Sequence, residues 1–353
     1  RQYVKITSSG TGLTVGKGYI FRSATDYLIK FSGPPNAASS YSTPSIPRND
    51  NAHYYLLGNP YPAVINWDNI DISNNISSTI WYRSCDINGH MVTADTWNST
   101  TQIGTSNNGT QVDGKIPPMQ SVWIQCASIG SGSLSIPNTV RSHSWGNANF
   151  FKSKAQQDKK DVLRLVLHSS NNRDETIIVQ SESAQNTFEN WDSRKFFNND
   201  ANIAELYTIS PEKYSLVIQS VKPITTDSII RVGIKVGTEG DYRFVADLSQ
   251  AYNTYNIFLE DKQLQVKQDL FSNPEYTFHS TIVNDTTRFV IHFLPTPSVI
   301  ANSPEAVCTP STVDLTSEKI TAGSATGLTF TYWTDSKATI PYNSPSNAES
   351  GTY

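Results

Sequence analysis

The chain has 353 residues, only 16% of them charged, and a formal net charge of −4. That length allows two or three domains, each with its own core. Mild acidity without any Lys/Arg cluster excludes nucleic acid as a partner, since that binding rests on phosphate neutralisation, and no apolar run approaches the roughly 18 residues of a membrane span.

Residues 1–154 read as a Trp-rich β-domain holding five of the seven tryptophans, Trp67, Trp81, Trp97, Trp123 and Trp145. Polar turn tracts such as "SGPPNAASS" and "TSNNGT" separate its short strands. The strand-like "YYLL" stops at Gly58-Asn59, and Pro60 and Pro62 then bracket Tyr61, with Trp67 following. Asn59 precedes proline and is held extended, Gly58 is free to take φ values that other residues avoid, and neither proline can donate to a ladder. The stretch is therefore a rigid corner over which Tyr61 and Trp67 fold, rather than a ligand loop. "DINGH" at residues 86–90 has the opening of a calcium loop but lacks its later acidic ligands. An Asn88-Gly89 hairpin turn fits it better. Trp67, Trp81 and Trp123 sit on strand-like segments and are expected in the core. Trp97, in the polar "TADTWNST", is the tryptophan expected at the surface, where its face would stack on a sugar.

The polar "SKAQQDKKD" (residues 153–161) marks a boundary near residue 155, and residues 155–296 read as an antiparallel β-sandwich or jelly roll. Leu163, Leu165 and Leu167 alternate with Arg164 and His168. In "SIIRVGIKV", Ile230, Val232, Ile234 and Val236 face one way and Arg231 and Lys235 the other, and a turn at Gly237–Gly240 suggests a hairpin with Tyr242 and Phe244 on the return. "TTRFVIHFL" places Phe289, Ile291 and Phe293 inward after an Asn284-Asp285 turn. Glu182, Glu189, Asp192 and Asp200 crowd one loop around Trp191. A solvated loop is the simplest reading of them. Glu189, Trp191 and Asp192 nonetheless join Trp97 as ligand-binding candidates, and these carboxylates are the place to look for calcium. "LPTPSVIANSP" ends the segment near residue 296 and leaves residues 297–353 as a partial immunoglobulin-like domain, too short for a complete sandwich of about 100 residues.

Three cysteines, Cys85, Cys126 and Cys308, make no disulfide framework and no zinc spacing. Cys85 and Cys126 either pair, if their strands meet, or remain buried thiols. No HExxH motif, nucleophile elbow or P-loop is present, and no carboxylate pair can be placed across a cleft. No catalytic residue, metal ligand or cofactor is assigned.

"LLGNPYPAVINWDN", "IWYRSCDINGHMV", "GKIPPMQSVWIQC", "GKGYIFR" and "FSGPPN" together resemble a module of large exported surface proteins of Bacteroidota. "DETIIVQSESAQNTFENWDSRKFFN", with Asp192 and Lys195, resembles the opening of the partner β-sandwich, and "VCTPSTVDLTSEKITAGSATGLTFTYWTDSKATI" is similar to immunoglobulin-like repeats of gliding-motility-type adhesins. The resemblance implies export by type IX secretion, a cell-surface or extracellular location, and a non-enzymatic role in adhesion or display toward a surface glycan or another protein. A carbohydrate-binding accessory region of a secreted polysaccharide-degrading protein is the alternative. The resemblance also implies a chain cut at both ends, and a last module whose open edge would pair with another chain.

Overall fold

The computed structural model describes residues 12–21, 32–50, 53–83, 93–109, 112–142, 160–224, 226–250, 255–308 and 310–349. Apart from three single-turn 3-10 helices, regular structure in these residues is all strand, and the protein is all-β. It divides into two compact units, Arg1–Leu294 and Pro295–Tyr353. The Trp-rich and middle segments both belong to the first unit, each with its own principal sheet.

The Trp-rich segment is built on a five-stranded antiparallel sheet. Its strands lie in the spatial order Tyr55–Gly58, Ser121–Ile124, Thr79–Tyr82, Asp95–Asn98 and Ile103–Thr105. Leu57, Ile80 and Val122 from this sheet meet Ile65, Trp67 and Ile136 in one core. Trp67 is fully buried, and its indole N–H donates to the Ser78 carbonyl at 2.8 Å.

The Gly-Asn-Pro-Tyr-Pro corner is held by its own side chains. Asn59 Nδ2 donates to the carbonyls of Ala63, Ile116 and Pro117 at 2.8–3.1 Å, while its Oδ1 accepts from Tyr61 N at 2.9 Å. The Tyr61 ring is buried under the Arg141 guanidinium, and its hydroxyl donates to the Ile136 carbonyl at 2.6 Å. Gly58 is needed for a reason other than the expected one. Its φ is not positive; instead the backbone of Gly16–Gly18 lies so close that a Cβ on Gly58 would sit 2.8 Å from the Lys17 carbonyl oxygen. Replacing Tyr61 with alanine is expected to cost about 2–4 kcal/mol, through lost ring packing and an unpaired Ile136 carbonyl. Thermal unfolding checks it, and an unchanged melting temperature would show that the ring does not hold the corner.

The middle segment forms one large sheet. Its strand order is Val266–Asp269, Tyr255–Asp261, Val283–Pro295, Ser228–Val236, Glu205–Ile209, Ser215–Val221, Arg173–Gln180, Asp161–His168, Gly240–Gln250 and Glu275–Ser280, with Ser193–Arg194 added beside Ser215–Val221. The two end strands, Val266–Asp269 and Glu275–Ser280, are consecutive in sequence, and Gln268 Nε2 ties them by donating to the carbonyls of Asn273 and Glu275 at 2.8 Å. The sheet therefore curls round into a nearly closed, barrel-like wall. The alternations read from the sequence line its interior: Leu163, Leu165 and Leu167, then Ile230, Val232, Ile234 and Val236, then Phe289, Ile291 and Phe293.

Two local expectations are corrected. Ser228–Val236 and Gly240–Gln250 are not a hairpin: the first pairs with Glu205–Ile209 and Val283–Pro295, the second with Asp161–His168 and Glu275–Ser280. The glycine-rich turn carries the chain across the barrel instead. Gly237 allows this because a Cβ there would overlap the Ala201 carbonyl. Asn284-Asp285 is no turn either. It lies within the strand Val283–Pro295, next to a register shift opposite Val232 and Ile234.

In the second unit, the described residues past Pro295 contain no named strand, only the isolated bridges Val313–Ala348 and Trp333–Pro341 and a 3-10 turn at Pro345–Asn347. The partial immunoglobulin-like sheet and its open edge are therefore absent among the described residues of this unit. Cys308 is an exposed free thiol. The linker at residues 153–159, "DINGH", Cys85, His90, His143, Trp145 and "GTY" lie outside the described residues.

Candidate functional site

The two principal sheets of the first unit are joined along the segment Asn190–Arg194. From the Trp-rich side, Ser78 Oγ donates to the Asn190 carbonyl, Asn98 Nδ2 donates to the carbonyls of Asn190 (3.0 Å) and Asp192 (3.3 Å), and Thr79 Oγ1 meets Ser193 Oγ at 2.9 Å. The Trp81 indole donates to the Arg194 carbonyl at 2.9 Å. Next to these bonds, Trp81, Trp123 and Ala94 pack on Phe196, with Tyr54 edge-on to Trp81 and Phe196. Further along, Ile103 enters an apolar cluster with Val162, Ile177, Val179, Val217 and Ile218, and Arg164 Nη1 donates to the Gly104 carbonyl at 3.0 Å.

This arrangement corrects the expectation for Trp97. The strand Asp95–Asn98 is buried along its whole length, and Trp97 is 6% exposed. Its indole donates to Asp68 Oδ1 at 2.8 Å, and a Cβ on Gly114 would lie 2.4 Å from Trp97 Nε1. Polarity around Trp97 does not signal solvent. Asn98 is spent on the joint, and Asp95 Oδ1 accepts from Asn107 N at 2.7 Å. Trp97 offers no face for a sugar.

Glu189 and Asp192 are brought together, while the Trp191 ring lies against Lys160. Asp192 is 3% exposed. Its Oδ1 accepts from Ser220 N at 2.7 Å and its Oδ2 from Glu189 N at 3.0 Å, which pins the loop to the strand Ser215–Val221. With both oxygens on backbone N–H groups, it is not presented to calcium, and among the described residues no cluster of three or more His, Cys, Asp or Glu could hold a metal. Burial pushes the Asp192 pKa up to about 7, against those two N–H groups. Trp191 is half-buried beneath the Lys160 ammonium, 5.5 Å from its ring. Lys195 is buried and paired with Asp174, whose Oδ2 also accepts from Leu206 N.

A raised folded-state pKa makes a stability contribution that is present below the unfolded carboxyl value, about 4, and is lost as pH rises toward 7. The parent protein is therefore expected to lose more stability between pH 4 and pH 7 than Asp192→Asn does, and denaturant unfolding at several pH values checks this. Equal slopes would mean that Asp192 titrates as it does in the unfolded chain.

Over the joint lies a cavity of about 240 Å³, walled by Trp81 and Phe188, with Gln125, Glu189, Asp192 and two arginines on its lining. Arg48 ends the strand Ile46–Arg48, where it shares the inward face with Ile46, and it is 3% exposed. Its Nη1 donates to the carbonyls of Cys126 and Ala127, both at 2.7 Å. Burial, and then the nearby charge of Arg194, depress its pKa. Arg194 is 8% exposed and lies against two rings that touch each other edge-on, 4.0 Å from the Tyr214 centroid and 4.5 Å from that of Phe188. Its Nε is buried with no hydrogen-bond partner. Cys126 is a free buried thiol donating to the Ile46 carbonyl, and burial raises its pKa, so the thiol stays protonated.

Neither arginine stood out in the sequence. The signals were the alternation Ile46-Pro47-Arg48, which aims Arg48 inward, and a run of charge abutting Phe196-Phe197 in "WDSRKFF".

Residues 1–293 match the model of a family described as a domain of unknown function (DUF8693), and the chain belongs to that family. No curated protein and no solved structure matches it.

Proposed function

We propose that the chain is a non-enzymatic segment of an exported bacterial cell-surface protein, serving adhesion or display through serial β-modules. The docking of the Trp-rich sheet on the curled sheet carries this reading. It is built from buried hydrogen bonds to Asn190–Arg194 and the Trp81, Trp123 and Phe196 packing, and such a joint suits a rigid spacer that holds a binding surface outward. The sequence resemblance to Bacteroidota type IX substrates supplies the cellular setting of the proposal.

Deleting residues 1–353 in frame from the encoding gene is expected to lower attachment of the producing cells to glycan- or protein-coated surfaces at least tenfold. Antibody against the chain should label intact cells. Labelling seen only after lysis would overturn the surface location, and undiminished attachment would overturn adhesion. The aromatic-walled cavity favours the second reading, a carbohydrate-binding accessory region. Loss of growth on a polysaccharide, with attachment intact, would establish that reading in place of the first.

A further inference from the structure

We infer that the cavity between the two sheets of the first unit is a binding site for one acidic sugar residue, whose carboxylate or sulfate is received by Arg194 and Arg48. This concerns ligand chemistry alone and does not depend on where the protein resides, so either proposal can fail without the other.

Charge is the first argument. A cation removed from water is costly unless an anion or a full set of acceptors replaces the lost hydration. Arg194 packs against the rings of Phe188 and Tyr214, which meet each other edge-on, and its buried Nε meets no acceptor. Among the described residues no carboxylate forms an ion pair with it. Arg48, bonded to the carbonyls of Asp50, Cys126 and Ala127, lines the same cavity and adds a second positive charge to it. An incoming oxyanion would relieve both costs at once, and a guanidinium's planar fork of N–H donors matches carboxylate and sulfate oxygens.

Two carboxyl groups lie on the same lining. Asp192 is turned onto backbone N–H groups, and Glu189 Oε1 accepts from Gln185 N at 2.6 Å. Each is thus engaged by backbone N–H groups, and neither forms an ion pair with the guanidinium of Arg194.

Size and wall chemistry select the rest of the ligand. At about 240 Å³ the cavity is smaller than the roughly 300–1,000 Å³ of drug-sized sites. It therefore suits one ring rather than an extended chain. Trp81 and Phe188 offer apolar walls to a ring's C–H face, and Gln125 and Ser128 place polar groups on the lining. An aromatic wall with a few convergent polar groups is the usual make-up of small-molecule sites.

The test is calorimetric titration of the whole chain with glucuronate, glucose 6-sulfate, glucose, inorganic sulfate and an oligoglutamate peptide. At least one of the two acidic sugars is expected to bind saturably, at least tenfold more tightly than glucose or inorganic sulfate. Preference for glucuronate assigns a carboxylate ligand and preference for the sulfated sugar assigns a sulfate. Arg194→Met should weaken that binding at least tenfold while leaving the melting temperature equal or higher, because it removes an unpaired buried charge. If that variant does not fold, Glu189→Gln serves instead and is expected to tighten binding about threefold by removing a nearby negative charge. Equal affinity for glucose and the acidic sugars, no saturable binding by any of them, or undiminished binding in folded Arg194→Met would overturn the inference. So would binding of oligoglutamate without either acidic sugar.

Discussion

Asp261→Ala is expected to destabilise the first unit by about 3–5 kcal/mol, the usual cost of stranding one member of a buried ion pair. Asp261 is fully buried and Arg288 is 6% exposed. Arg288 Nη2 donates to Asp261 Oδ2 at 2.7 Å, and its Nε reaches both oxygens at 3.0 and 3.1 Å. The Tyr276 hydroxyl donates to the same carboxylate, and so do Gln263 N and Leu264 N, in the turn between two strands of the curled sheet. Alanine would leave the guanidinium unpaired beside Phe278 and Phe289. A fall in melting temperature on the order of 10 °C follows. Asp261→Leu combined with Arg288→Met should lie closer to the parent than either single change does, since it strands no charge. Burial alone would raise the Asp261 pKa, but Arg288 and the other donors hold it below the ordinary value. This contribution is therefore present above about pH 4 and is lost as pH falls further. A single variant as stable as the parent would refute the account.

Trp81→Ala should cost a similar amount, about 3–5 kcal/mol for a buried tryptophan, and should also change how the unit unfolds. The ring is 1% exposed, packs against Phe196 and Tyr54, and donates to the Arg194 carbonyl across the joint. Its removal leaves a cavity where the two sheets meet and an unpaired buried carbonyl. The parent first unit is expected to melt in one cooperative step. In the variant, the calorimetric enthalpy should exceed the van't Hoff value as the Trp-rich and middle segments unfold separately. A single transition at the parent's temperature would show that the remaining bonds to Asn190–Arg194 suffice.

The inward faces of the curled sheet were legible because apolar residues recur at every second position, as in Leu163–Leu167 and Ile230–Val236. The Asn-Pro-Tyr-Pro corner was legible for a local reason: proline and pre-proline restrictions act within a few residues. Pairing was another matter. Ser228–Val236 and Gly240–Gln250 carry every local mark of a hairpin, yet their partners lie far away in sequence.

The candidate site depended on such distant partners. Glu189 and Asp192 could be named from a cluster of charge, but the burial of Asp192 could not, because it is fixed by the backbone of Ser220. The burial of Trp97 is hidden in the sequence because its neighbours Asn98 and Asp95 are polar yet satisfied inside the protein.

The sequence by itself determined that this protein is all-β, where the Asn-Pro-Tyr-Pro corner falls, and which face of strands such as Ser228–Val236 is apolar, since all of these follow from residue type and spacing over a few positions. Only the tertiary structure decided that the first two segments make one unit. It likewise decided that Arg48 and Arg194, 146 positions apart, meet in a cavity, because what buries a side chain comes from elements that only the folded chain brings together.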